Sequence, residues 1–179
     1  MLISPGATPG ERLLGYSAGL FGAAFAAALA TRADTALWVI AVVAIVGFDV
    51  FGGVVVNATP SGSRRFHGAK TSRWSGFGFV AMHVHPLALA LLLPEEMPWA
   101  TAIVVYAGVV LATVLISVAP KFLRQPIAFA AAAILIALTT VMPPPAALIA
   151  WVLPLLTVKL LLSHLLPHPA IEPSHHCSS

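Results

Sequence analysis

LWVIAVVAIVGFDVFGGVVVNATPSGSRRFH, residues 37–67, is the stretch whose reading decides the fold. Its apolar run is as long as a bilayer core of roughly 30 Å requires, about 20 residues at about 1.5 Å each. It ends in turn formers followed by two arginines, and it carries a single charge, Asp49, well inside. A carboxylate at that depth costs at least a few kcal/mol against hydrocarbon, so it must face protein and find a partner.

The rest of the chain has the same character. Its 179 residues are 59% hydrophobic and only 8% charged, whereas a soluble domain carries about 25% charged residues. Such a chain cannot cover itself with polar surface, so membrane lipid is its expected partner and nucleic acid is not. The only cysteine is Cys177, which leaves no internal disulfide to expect.

Polar or proline-rich breaks divide the chain into six apolar runs near 13–31, 36–58, 76–94, 98–119, 122–143 and 145–166. Glu11 and Arg12 precede the first run and five more follow it, so it reads as a retained span rather than a cleaved signal peptide. The breaks are TRADT, TPSGSRRFHGAKTSRWSG, LPEEMP and VMPPPAA, with a tight junction at Ala119–Pro120–Lys121 that predicts a close hairpin of spans four and five.

With six crossings, Arg12, Arg64, Arg65, Lys70, Arg73, Lys121 and Arg124 share one side, while Arg32, Asp34, Glu95 and Glu96 share the other. The excess of cations places both termini in the cytoplasm. The expected fold is therefore an all-α integral membrane bundle of six transmembrane helices, multi-pass in a bacterial-type inner membrane. Residues 1–169 form its single domain and 170–179 a flexible polar tail. No residue-level similarity supports two halves related as a repeat. Small-residue faces on spans one, two and five suit a homo-oligomer or packing within a larger membrane complex.

Depth brings the buried polar groups together. Asp49 lies about 13 residues into span two from the outer side and Lys159 about 14 into span six; His83 and His85 lie about eight to ten into span three from the inner side. The four share one slab, and the expectation is that Asp49 pairs with Lys159 with one imidazole beside them. Residues 83 and 85 are about 200° apart on a continuous helix, so both cannot face one point. Pro86 and Pro154 predict broken backbone near the slab, freeing the carbonyls of Met82 and Ala150, and broken helices suit a hydrated cavity. The bland reading is an ion pair that only fixes helix register. The functional reading is a carrier or channel with an ion- or proton-responsive site at Asp49, His83, His85 and Lys159, with Asn57 nearer the inner side. Protonation would exchange one partner of the pair, and a histidine beside it would make the switch pH-sensitive.

Other constellations point elsewhere. Asn57, Thr59, Ser61, Ser63, Arg64, Arg65 and His67 gather at the inner end of span two, where Arg64 and Arg65 suit an anionic headgroup or phosphate, although topology alone also places arginines there. Asn57-Ala58-Thr59 matches a glycosylation sequon on the wrong side of the membrane. His164 and His168, four apart, with His67 make a candidate zinc or iron site for a metal-dependent membrane enzyme, against which Pro167 and Pro169 interrupt the shared face. His175, His176 and Cys177 could bind metal only adventitiously, since a flexible tail gives no fixed geometry. Haem would need a second deep histidine besides those of span three. A retinal Schiff base on Lys159 would need a seventh span and more aromatics. The favoured reading requires no cofactor. A non-catalytic accessory subunit is the remaining class.

Overall fold

The computed structural model describes residues 4, 6–67 and 75–166, and among these all regular structure is helical. The expected 170–179 tail, Lys70 and Arg73 lie outside the described residues.

Helix α1, Pro9–Arg32, begins at a capping box. Thr8 Oγ1 accepts the Glu11 N–H and Glu11 Oε2 accepts the Thr8 N–H, at 3.2 and 2.7 Å, which satisfies two orphan donors reciprocally. Its buried face is Gly15, Gly19, Gly22, Ala26 and Ala30, a small-residue stripe that lets a neighbouring backbone approach closely. That neighbour is α2, Leu37–Ala58. The approach is tight enough that a Cβ on Gly47 would lie 2.9 Å from the Gly22 carbonyl carbon and 3.0 Å from Ala26 Cβ. Asp34 takes the turn between them at φ 53°, the left-handed region that Asp tolerates better than most side chains.

Helix α3, Pro60–His67, follows α2 after a one-residue break. Its first turn is capped twice: Thr59 Oγ1 accepts the Gly62 N–H at 3.1 Å, and Glu11 of α1 accepts the Ser61 N–H at 3.0 Å.

Helices α4, Ser75–Ala81, and α5, His85–Leu92, occupy the third apolar run. Next come α6, Trp99–Val118, and α7, Lys121–Val141. The hairpin expected at Ala119–Pro120 is present, closed at its far end by Thr101 Oγ1 donating to the Pro143 carbonyl at 2.6 Å. At the near end Arg124 donates to the Ala119 and Ser117 carbonyls, a cation on the orphan acceptors that end α6. Helix α8, Val152–Thr157, continues directly into a π-helical segment, Val158–His164.

Four helices, α1, α2, α6 and α7, are long and apolar enough to cross a membrane. The third and sixth apolar runs are not single α-helices, which departs from six regular spans. Residues 82–84 interrupt the third run, just ahead of Pro86. In the sixth run residues 147–151 are turns, so Pro154 sits in the first turn of α8, where a missing N–H costs nothing. Pro154 thus starts a helix instead of kinking one.

Glu11 at the start of α1 ties that helix to Ser61 of α3, and the Ala146 N–H bonds the Glu96 carbonyl at 2.8 Å, joining the chain after α7 to the chain before α6. Small and aliphatic side chains fill the centre, including Ala26, Val43, Val109, Ala132, Leu153 and Leu160. Large apolar groups point outward along every long helix: Leu20 is 64% exposed, Ile45 70%, Leu111 60% and Ile134 59%. A surface of that kind suits hydrocarbon better than water.

Candidate functional site

Among the described residues Lys159 is the largest fully buried side chain, 2% exposed. It extends from the π-helical segment across α2, and α2 has no side chain where it crosses: a Cβ on Gly53 would meet Lys159 Cε and lie 2.8 Å from its Nζ. The ammonium ends 2.5 Å from Asp49 Oδ2 and 3.1 Å from the Asp49 carbonyl oxygen. Two of its three protons therefore have acceptors on one residue. The same carboxylate oxygen lies 3.3 Å from His85 Nε2 at the start of α5. Three elements thus converge on Asp49 Oδ2, each bringing one group.

The π-helical register and the α4–α5 break both belong to this geometry. A π turn is wider than an α turn and recurs where a side chain must be re-aimed; here it carries Lys159. The break accounts for the two histidines. The 200° that separates residues 83 and 85 on a continuous helix does not apply, because residues 82–84 are not helical, and the rings come to 5.4 Å between centroids. Only His85 reaches Asp49, as the expectation of one imidazole beside the pair has it; His83 turns instead to the Phe79 carbonyl.

Side chains replace the backbone bonds that the break removes. The carbonyl of Phe79 is met by His83 Nδ1 at 2.7 Å, and that of Ala81 accepts the Tyr106 hydroxyl of α6 at 2.8 Å. Met82 O accepts the Val84 N–H at 2.9 Å within the turn. Unpaired backbone groups are costly in an apolar setting, and a break survives where other groups satisfy them. Tyr106 was not singled out from the sequence. Its signal was a hydroxyl-bearing ring in an otherwise aliphatic run.

Not every candidate joins the site. Asn57 is buried on α2, with Nδ2 unpartnered among the described residues, but eight residues beyond Asp49 place it about 12 Å further along the axis. Arg64 and Arg65 are exposed on α3. His164 is buried with its ring stacked on Phe79, centroids 3.9 Å apart, and Phe79 also packs on His83 at 4.3 Å. The side chain of His67 and the whole of His168 lie outside the described residues. Among the described residues no three His, Cys, Asp or Glu side chains cluster as metal ligands.

Chemically, the site is a carboxylate shared by an ammonium and an imidazole. Each contact to Oδ2 holds the anion. Adding a proton there removes the reason for both, so a change at one atom alters the tie between α2, α5 and the π-helical segment. Phe25 of α1, Phe51 of α2 and Trp151 pack together with centroids 5.6–6.1 Å apart.

Comparison with protein-family models, curated proteins and solved structures returns no match to this chain.

Proposed function

We propose that this chain is a multi-pass membrane carrier or channel whose gate is the Asp49–Lys159–His85 site. It crosses six times, with α4–α5 and the segment 146–166 as two discontinuous crossings and both termini cytoplasmic. Two arrangements support that topology. With six crossings Arg12, Arg64, Arg65, Lys121 and Arg124 share one side and Arg32, Asp34, Glu95 and Glu96 the other, the excess of cations that the positive-inside rule puts in the cytoplasm. The outward apolar groups form the lipid-facing surface.

The observation that carries the functional reading is the convergence of both discontinuous crossings on one charged atom, Asp49 Oδ2. Discontinuous helices meeting around an intramembrane charge are the form that binding sites take in membrane carriers. A register-fixing pair needs only two charges on regular helices. Here a π turn, a helix break and a third polar group are added. In the closed state Lys159 holds Asp49; a proton or cation that takes the carboxylate frees the ammonium and loosens α2 against α5 and the π-helical segment.

The test is flux into proteoliposomes for wild type, Asp49→Asn, Lys159→Met and the double variant, under an imposed potential and pH gradient. Each single change is expected to alter flux at least about tenfold, which corresponds to about 1.4 kcal/mol. If all three carry the wild-type flux, the site is structural.

A further inference from the structure

We infer that His85 is the proton relay of this site: it takes a proton on Nδ1 and delivers the one on Nε2 to Asp49, so the species that opens the gate is a proton and not a metal cation. The inference rests on reading the Asp49 site as functional.

The two ring nitrogens of His85 have different surroundings. Nε2 lies 3.3 Å from Asp49 Oδ2, and an ionised carboxylate only accepts, so in the neutral ring the proton is on Nε2 and Nδ1 presents a lone pair. That Nδ1 atom is buried and has no hydrogen-bond partner among the described residues. A buried acceptor left unpaired is costly and marks a place where a donor is received. Among the described residues the titratable groups around the ring are Asp49 from α2, Lys159 from the π-helical segment and His83 from the 82–84 turn. Tyr106 of α6 has its hydroxyl committed to the Ala81 carbonyl. His83 has Nδ1 against the Phe79 carbonyl at 2.7 Å, and a carbonyl also only accepts, so in the neutral ring its Nε2 is the second free lone pair.

The step balances without a co-reactant. A proton from hydronium adds to His85 Nδ1 and leaves water behind; the Nε2–H bond breaks and its proton bonds to Asp49 Oδ2. The ring is left neutral with its proton on Nδ1, and the carboxyl is left neutral. Lys159 then has no anion to hold it and keeps only its bond to the Asp49 backbone carbonyl. The site has gained one proton and one positive charge, now uncompensated on the ammonium. Loss of the carboxyl proton to the opposite side and return of the ring to its first tautomer reset the relay. A metal cation is disfavoured because Oδ2 already lies against the ammonium, whereas a proton can arrive through a neutral ring.

The experiment uses the full chain in lipid vesicles, with the proton as probe: a potential is imposed and a dye in the lumen reads acidification. His85→Gln keeps an N–H for Asp49 but takes up no proton. It is expected to keep the fold and lose at least about tenfold in proton flux, as Asp49→Asn does. In parallel, nitrogen NMR of 15N-histidine protein, assigned with His83→Gln, should show His85 with Nε2 protonated and Nδ1 bare at neutral pH. If His85→Gln conducts protons as wild type while Asp49→Asn does not, the relay is wrong and the site stands. If Asp49→Asn, Lys159→Met and His85→Gln all conduct as wild type, both fall. A wild type that passes sodium or potassium but no protons overturns the relay alone. Should His85→Gln fail to fold, the NMR result decides: a proton on Nδ1 of the neutral ring refutes the proposal.

Discussion

Lys159 Nζ lies 2.5 Å from Asp49 Oδ2 and 3.1 Å from the carbonyl oxygen of the same residue, so one buried ammonium holds both the side chain and the backbone of α2 at one position. Removing one partner strands the other. Asp49→Asn and Lys159→Met are each expected to destabilise the protein, with a ceiling of about 3–5 kcal/mol for breaking a buried pair. Asp49 is 36% exposed, which places its own change toward the low end. The double variant should recover a large part of the loss. Reversible unfolding in bilayer-like micelles, run as a double-mutant cycle, checks this; additive single effects would mean that the two groups are not coupled.

Gly53 is the second requirement of that contact. A methyl at this position would collide with the Lys159 stem, so Gly53→Ala should push the ammonium off Asp49 and cost about 1–3 kcal/mol through overpacking. Gly78 of α4 offers the control, since a Cβ there meets nothing within 4 Å. Gly78→Ala should be neutral or stabilising by up to about 1 kcal/mol. Thermal unfolding of the two variants in the same detergent reads the contrast.

The α4–α5 break depends on Tyr106, which supplies the donor for the Ala81 carbonyl. Tyr106→Phe should cost about 0.5–1.5 kcal/mol, the usual worth of one hydrogen bond. It should also raise amide hydrogen exchange at residues 82–85 more than elsewhere, because the break then opens more easily. Uniform exchange across the bundle would contradict that placement of the weak point.

At the α3 end of the bundle, Glu11 caps two helices at once, accepting the N–H groups of Thr8 and Ser61. Glu11→Ala removes both acceptors and should cost about 1–2 kcal/mol, in the range of other N-caps. Glu11→Gln keeps one carbonyl oxygen and should fall between. Faster exchange at Ser61, 50 residues away in sequence, is the signature that separates this cross-helix cap from an ordinary one within α1.

How far the sequence foresees this structure depends on the range of the physics involved. The long helices are local: an uninterrupted apolar run such as residues 99–118 has one economical form in hydrocarbon, and the two-residue junction at Ala119–Pro120 leaves one way to turn. The juxtaposition of Asp49 and Lys159 was legible too, because a lone charge at depth has few places to go and residue counting puts both at one level. The finer geometry was not. Which histidine approaches Asp49 depends on where the helix breaks, and Pro86 marks a break without giving its angle. The π register that carries Lys159 leaves no residue-type signal. Pro154 reads as a kink in sequence and proves to be a helix start, because the turns at 147–151 delay the helix. Gly53 reads as one more small residue for helix packing; only the coordinates show that a lysine stem is what it admits.

The central claim is that protonation of Asp49 is the event that releases Lys159. Infrared spectroscopy of the full chain in lipid, with 13C-labelled aspartate, reads it directly, since Asp34 and Asp49 are the two aspartates in the sequence. The account predicts that, with Asp34→Asn as the background, a protonated-carboxyl band appears on acidification while the protein is still folded and is absent from the Asp34→Asn/Asp49→Asn double variant. A labelled carboxyl band that survives in the double variant, or one that in Asp34→Asn appears only as the helices melt, would contradict it.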